Sequence, residues 1–226
     1  MTTHLQREIE ALKKKILHMG ARVEETVSKA VDALIAKDPR IADEVIASDE
    51  AMDHIEVDIE EECLKILALH QPVAIDLRYV IAVLKINNDL ERIGDLAVNI
   101  AERAVYLSTH APIDLPLDFR GMVDITQTML KQSLDSLVYM DPNLARQVRA
   151  SDDRVDDLNR HMYALIEEYV SKHPDRIAES LHLLSASRHL ERIADQATNI
   201  AEDVIYMVEG EIVRHQPEIF TDEPAR

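Results

Sequence analysis

Glycine, cysteine and large aromatic residues are scarce in this 226-residue chain, which has four glycines, one cysteine, two phenylalanines and no tryptophan. With so few glycines there is no Gly-rich phosphate loop, and a nucleotide-dependent enzyme is hard to build. The single cysteine, Cys63, excludes an intrachain disulfide and a His/Cys zinc cluster, and a buried, inert thiol fits a reducing cytosol. No Ser or Cys nucleophile has an evident neighbouring base. The chain does not read as an enzyme. Positive charge is short as well: 25 Lys and Arg against 43 Asp and Glu leave a formal charge of −18. A field of that sign repels nucleic acid and anionic lipid, and it suits cations or partners with a basic surface. No apolar run approaches the roughly 20 residues that span a bilayer. The opening stretch, MTTHLQREIEALKKK, lacks the hydrophobic segment of a secretory signal. A cytoplasmic protein, not integral to a membrane, is the expectation.

What is abundant is Ala, Leu, Ile, Glu and Asp. No run of β-branched or aromatic residues alternates long enough for a strand, so the predicted fold class is all-α. Prolines set the boundaries. The pairs Asp38-Pro39 and Asp141-Pro142 each read as an N-cap followed by Pro at the first helical position. The periodicity predicts helices over 5–36, 39–70 and 72–108, then over 117–140, 142–172 and 174–213, with a frayed tail over 216–226. Pro112 and Pro116 break any helix between the two sets. The expected architecture is two tandem three-helix bundles, 1–111 and 112–226, related by an internal repeat.

The repeat is plainest in LERIGDLAVNIAE at 90–102 and LERIADQATNIAE at 190–202, identical at ten of thirteen positions. In a helix, Glu91 and Asp95 share a face that Asn99 and Glu102 extend, beside a buriable seam of Leu90, Ile93, Ala97 and Ile100. The second copy repeats this with Glu191, Asp195, Asn199 and Glu202. The preceding helix of each half adds its own pair, Asp49 and Asp53, then Asp152 and Asp156 at an offset of 103. The offset falls to 100 at the motif, so three residues are lost near the second turn. Packing these faces together makes four carboxylates converge in each half, and their mutual repulsion demands a cation or a base. Oxygen-only donors suit hard ions: Mg²⁺, Ca²⁺, Mn²⁺ or ferric iron.

A structural polar network explains the same residues. Acidic pairs at i, i+4 are common in a chain that is 30% charged, and the matched Arg92 and Arg192 are placed to bridge to Asp95 and Asp195. Both readings stand on the residues alone. A ferritin-like di-iron site requires a repeated Glu-x-x-His. Only Glu179-x-x-His182 occurs, matched by Tyr79 and Ala82 in the first half, so His182 reads as an ordinary helix residue. Gly94, matched by Ala194, marks either a close helix approach or a tolerated small residue.

In LERIGD at 90–95, HLERIADQATNIAE at 189–202 and the pairs Asp49/Asp53 and Asp152/Asp156, the chain resembles the PhoU family. The likeness runs from the first helix through VIYMVEGEIVRH at 204–215. It implies the family's fold of two similar three-helix bundles and a cytoplasmic accessory protein of the phosphate-specific transport system. It also implies a negative regulator of phosphate uptake and of the phosphate-starvation response (the Pho regulon). Such a regulator contacts the transporter ATPase subunit (PstB-like) and a sensor histidine kinase (PhoR-like). The family's metal-binding motifs carry over to Asp49, Asp53, Glu91, Asp95, Asp152, Asp156, Glu191 and Asp195, for divalent or ferric ions and with no organic cofactor. The second motif departs from the family's frequent Gly-Asp-His by reading Ala194-Asp195-Gln196, which weakens that site if the His supports a metal. An apolar flank on a helical bundle is suited to a homodimer. The alternatives are a metal-dependent or metal-storage carboxylate protein and a purely structural helical scaffold.

Overall fold

Two Asp-Pro pairs and two Ala-Ser-Asp triplets mark the turns of the chain at matched places in each half. The computed structural model describes residues 3–213; the tail expected over 216–226 lies outside the described residues. The first half runs α1 (Thr3–Ala36), α2 (Pro39–Ala47), α3 (Asp49–His70) and α4 (Ala74–Ser108). The second runs α5 (Phe119–Tyr139), α6 (Pro142–Arg149), α7 (Asp152–Lys172) and α8 (Ile177–Glu209), the last preceded by a 3-10 turn over Pro174–Arg176. The described residues contain no strand, and none of their helices is long and apolar enough to cross a membrane.

Both Asp-Pro pairs cap as expected. Asp38 accepts from the Arg40 N–H at 3.0 Å, and Asp141 from the Asn143 and Leu144 N–H groups at 2.9 and 3.2 Å. The residues before them, Lys37 and Met140, take left-handed backbone at φ 52° and 51°. That turn lets the Asp38 and Asp141 N–H groups reach back to the Ala33 and Ser136 carbonyls.

The middle helix of each half is not continuous, contrary to the expectation over 39–70 and 142–172. It breaks at Ser48 and again at Ala150 and Ser151. The Ser48 hydroxyl donates to the Val45 carbonyl at 2.7 Å and the Ser151 hydroxyl to Gln147 at 3.0 Å. Each serine thereby takes a carbonyl at the end of the shorter helix and stops it. Asp49 and Asp152 then open new helices, where the helix dipole favours negative charge. Other boundaries move less. α4 begins at Ala74, after the extended Val73, and α8 ends at Glu209, where Gly210 takes φ 78°. The three-residue difference between the repeats falls in one link. Residues 71–73 separate α3 from α4, whereas His173 alone separates α7 from the 3-10 turn.

α4 and α8 lie antiparallel at the centre. Arg78 donates to the Met207 carbonyl at 2.9 Å and Lys85 pairs with Asp203 at 3.0 Å. At the opposite end Tyr106 stacks on His182 with centroids 3.7 Å apart. α1 packs along α4, α5 along α8, and α1 meets α5, so four long helices close a ring. α2 and α3 flank the α1–α4 side, and α6 and α7 the α5–α8 side. Each repeat is thus a three-helix bundle with a broken middle member, and the two share one apolar core. Leu12, Ile16 and Met19 of α1 are fully buried in it, as are Leu90, Ile93 and Ile100 of α4 and Met122, Met129 and Leu130 of α5. Each such side chain contributes about 1.5–3 kcal/mol through removal from water. The α1–α5 contact passes through Gly20, where a Cβ would stand 2.7 Å from Leu134 Cδ1. At Gly94 a Cβ would stand an ordinary 3.6 Å from Met52 Cγ, so this glycine is a tolerated small residue and not the mark of a close approach.

Candidate functional site

The break at Ser48 sets Asp49 at the start of α3 with Asp53 one turn on, while α4 presents Glu91 and Asp95. These four carboxylates face one another across the α3–α4 contact. Burial, then Asp53 and Asp95, lift the Asp49 carboxyl above its ordinary range. Burial, then Asp95, Glu56 and Asp53, do the same to Glu91, and burial, then Asp53, to Asp95. Positive charge at Arg92 offsets only part of this.

Glu56 is a fifth member that the sequence reading missed. It lies one turn beyond Asp53, and its carboxyl is raised by burial, then by Glu60 and Asp53. The i, i+3 spacing from Asp53 was the available signal. The buried Asn87 of α4 donates to the Glu56 carbonyl at 2.9 Å and carboxylate at 3.3 Å, pinning α3 to α4. At matched positions in the second half, the Ser187 hydroxyl bonds to Asn159. The polar pin is retained there while the charge is dropped.

The second face is more enclosed. Burial, then Asp195 and Asp156, push Asp152 from the usual 3.8 up to about 6. Burial, then Glu191 and Asp156, push Asp195 to about 6 as well. Glu191 rises through burial, then Asp156. Asp49, Asp53, Glu91 and Asp95 therefore stand together, as do Asp152, Asp156, Glu191 and Asp195.

The matched arginines do not neutralise these faces directly. Among the described residues, neither Arg92 nor Arg192 forms an ion pair with Asp95 or Asp195. The outer members of the stripe turn to local partners. Asn99 donates to the Asp95 carbonyl at 2.8 Å, Glu102 pairs with Arg103 at 2.8 Å, and Glu202 with Arg149 at 3.3 Å. Among the described residues no three His, Cys, Asp or Glu side chains are drawn together tightly enough to cage a metal ion. The faces are half-open lines of oxygen donors whose mutual repulsion a hard cation would relieve, so the donor set fits such an ion in chemistry. Closing around one requires side-chain rotation.

Two other residues singled out in the sequence have structural surroundings. Cys63 is fully buried, and burial pushes its thiol up to about 12, far from a reactive thiolate. His182 stacks on Tyr106, which in turn stacks on His110 with centroids 4.0 Å apart.

Comparison with known proteins agrees with this geometry over both halves. The PhoU domain model matches residues 16–104 and again 119–204. The phosphate-specific transport system accessory protein PhoU homolog of Aquifex aeolicus is 42% identical over 212 residues, covering 94% of this chain and 96% of the relative. The homolog of Pseudomonas aeruginosa is 38% identical, covering 95% of this chain and 91% of its own. The crystal structure of PhoU from Pseudomonas aeruginosa superposes with a TM-score of 0.87, at 38% identity and over 91% of this chain and 99% of that one. The phosphate transport system regulatory protein PhoU from Streptococcus pneumoniae superposes with a TM-score of 0.83, at 31% identity and over 92% of this chain and 99% of that one. With both repeats matched to the domain model, and with relatives this similar aligned nearly end to end, the chain belongs to the PhoU family.

Proposed function

We propose that this protein is a regulatory adaptor of a phosphate-specific transport system, working in the cytoplasm through protein contacts and not as an enzyme. The observation that carries this reading is coverage. A relative named as an accessory protein of that system aligns with 94% of this chain, so the likeness takes in both repeats and both carboxylate faces. In this reading the adaptor contacts the transporter ATPase subunit and a sensor histidine kinase, and it keeps the starvation response low when phosphate is plentiful. Stiff paired helices with acidic faces suit such a role, because charge complementarity speeds and orders docking on basic surfaces. Switching between partners requires a difference in affinity between two states. Exposed apolar side chains on the first repeat, among them Val57, Leu64 and Ile75, support a homodimer.

The test is an affinity pull-down from phosphate-replete and phosphate-starved cells, read by mass spectrometry. Phosphate-dependent recovery of the transporter ATPase or a sensor kinase is expected. Recovery of neither, in either condition, overturns the adaptor role.

The carboxylate faces also favour bound metal. Asp49, Asp53, Glu91 and Asp95, with Glu56 beside them, would hold one hard cation or cluster, and Asp152, Asp156, Glu191 and Asp195 another. What supports this is the convergence of carboxylates across each helix pair, where burial first and mutual repulsion second raise Glu91, Asp152 and Asp195. Elemental analysis of the Glu91→Ala/Asp95→Ala protein should show less metal per chain than wild type. An unchanged stoichiometry removes these residues as ligands.

A further inference from the structure

In a chain with a net charge of −18, positive side chains gather on one stretch of α8. A groove of about 340 Å³ along its N-terminal half is lined by Leu181, Leu184, Ser185, Arg188, His189 and Arg192. Arg188 and Arg192 are one turn apart, both exposed, and form no ion pair among the described residues. Arg103 of α4 approaches from the neighbouring helix. His189 lies among Arg103, Arg188 and Arg192. Its Nε2 lies 3.1 Å from the Ser185 hydroxyl, and its Nδ1 is buried with no hydrogen-bond partner. Glu102 of α4 is paired with Arg103 at 2.8 Å, while on α8 Glu191 lies within electrostatic reach of Arg188 and Arg192, and Asp195 of Arg192, without an ion pair among the described residues.

The internal repeat supplies a control within the same molecule. The matched groove on α4 includes Ile81, Lys85, Glu202, Asp203 and Tyr206. There Lys85 is bound to the buried Asp203 at 3.0 Å, and Arg149 to Glu202 at 3.3 Å, so its charges are closed internally. At an offset of 100, Lys85 is replaced by Ser185, Asp89 by His189, and the position of Asp203 is held by Arg103. The first groove pairs its cations with its own acids. The second has exchanged two acids for a histidine and an arginine, and it keeps two exposed arginines beside a hydroxyl.

We propose that this α8 groove binds a phosphate-type oxyanion, with Arg188 and Arg192 as the charged forks and Ser185 and Arg103 as further donors. Planar guanidinium groups match phosphate oxygens two at a time, which a point charge does not. The overall field of the protein repels anions, so binding here has to come from local groups. The proposal goes beyond the adaptor role and stands apart from it, since its readout is direct binding by the purified chain.

The test is calorimetric titration of the full chain with inorganic phosphate and, separately, with AMP as a phosphomonoester. Wild type is expected to bind, and Arg188→Gln/Arg192→Gln to bind at least about tenfold more weakly. Arg154→Gln/Arg160→Gln, with the same charge change on α7, should match wild type. Because all four arginines are exposed, each variant should melt as wild type does. Preference for phosphate identifies the free anion as the ligand, and preference for AMP a phosphorylated metabolite. Absence of binding of both at millimolar concentration, or equal affinity in the Arg188→Gln/Arg192→Gln protein, overturns the site.

Discussion

Replacing Asp195 by Asn should make the metal-free protein more stable at neutral pH, although this residue lies in the most strongly repeated motif of the chain. Burial, then Glu191 and Asp156, lift its carboxyl from 3.8 to about 6. A displacement of that size corresponds to about 3 kcal/mol between the two protonation states. The side chain is exposed on its open side, and solvent screening cuts the part that reaches stability to about 1 kcal/mol. The folded value lies above the unfolded one, so the folded protein binds the proton more tightly and the ionised carboxylate costs stability. That cost is full above about 6, shrinks as the pH falls, and is gone below 3.8. The variant should therefore melt about 2–4 °C higher than wild type at neutral pH in excess chelator, with the advantage vanishing at the acidic end. Adding Mn²⁺ should reverse the order by stabilising wild type more than the variant. Thermal melts followed by circular dichroism across this pH range decide the matter. A variant that melts no higher than wild type in chelator at neutral pH, or that keeps its advantage in acid, refutes the reasoning.

Two glycine substitutions should act in opposite directions in urea denaturation. Gly94→Ala should add about 1 kcal/mol, because the new Cβ meets Met52 at an ordinary 3.6 Å and the helix gains propensity. Gly20→Ala should cost about 1 kcal/mol or more, because Leu134 Cδ1 at 2.7 Å must move within a packed contact. Met140→Gly should stabilise by about 0.5 kcal/mol, since it relieves left-handed backbone at φ 51° where glycine is unstrained; a loss of stability would contradict that account. Cys63, fully buried with its thiol held near 12, should resist aromatic disulfide reagents until the protein unfolds globally. Rapid labelling of the native protein would show that this part of the core opens.

Local signals carried a long way in this molecule. Helical periodicity, the Asp-Pro caps and the repeated LERI motif are read within a few residues, and such features do not depend on distant partners. That is why the helix class, the twofold repeat and the eight carboxylates were legible from the residues alone. The breaks at Ser48 and Ser151 were not legible in this way, since the periodicity predicts continuous helices over 39–70 and 142–172. A serine hydroxyl that takes a backbone carbonyl interrupts a helix in one setting and is tolerated in another, and here α2 and α3 each pack separately against α1 and α4. Glu56 shows the same boundary from the other side. Its spacing from Asp53 was visible, but its place beside Glu91 depends on how α3 meets α4.

By itself the sequence determined the long helices, their Asp-Pro caps, and that the two halves are copies. Only the tertiary structure decided that α4 and α8 pair antiparallel, that the halves share one core, and that matched grooves differ in charge balance. Lys85 meets Asp203 across 118 positions of chain, and Arg103 approaches His189 across the same contact. Periodicity identifies which face of a helix is buried, whereas the charge that face meets is set by the register between helices far apart in sequence.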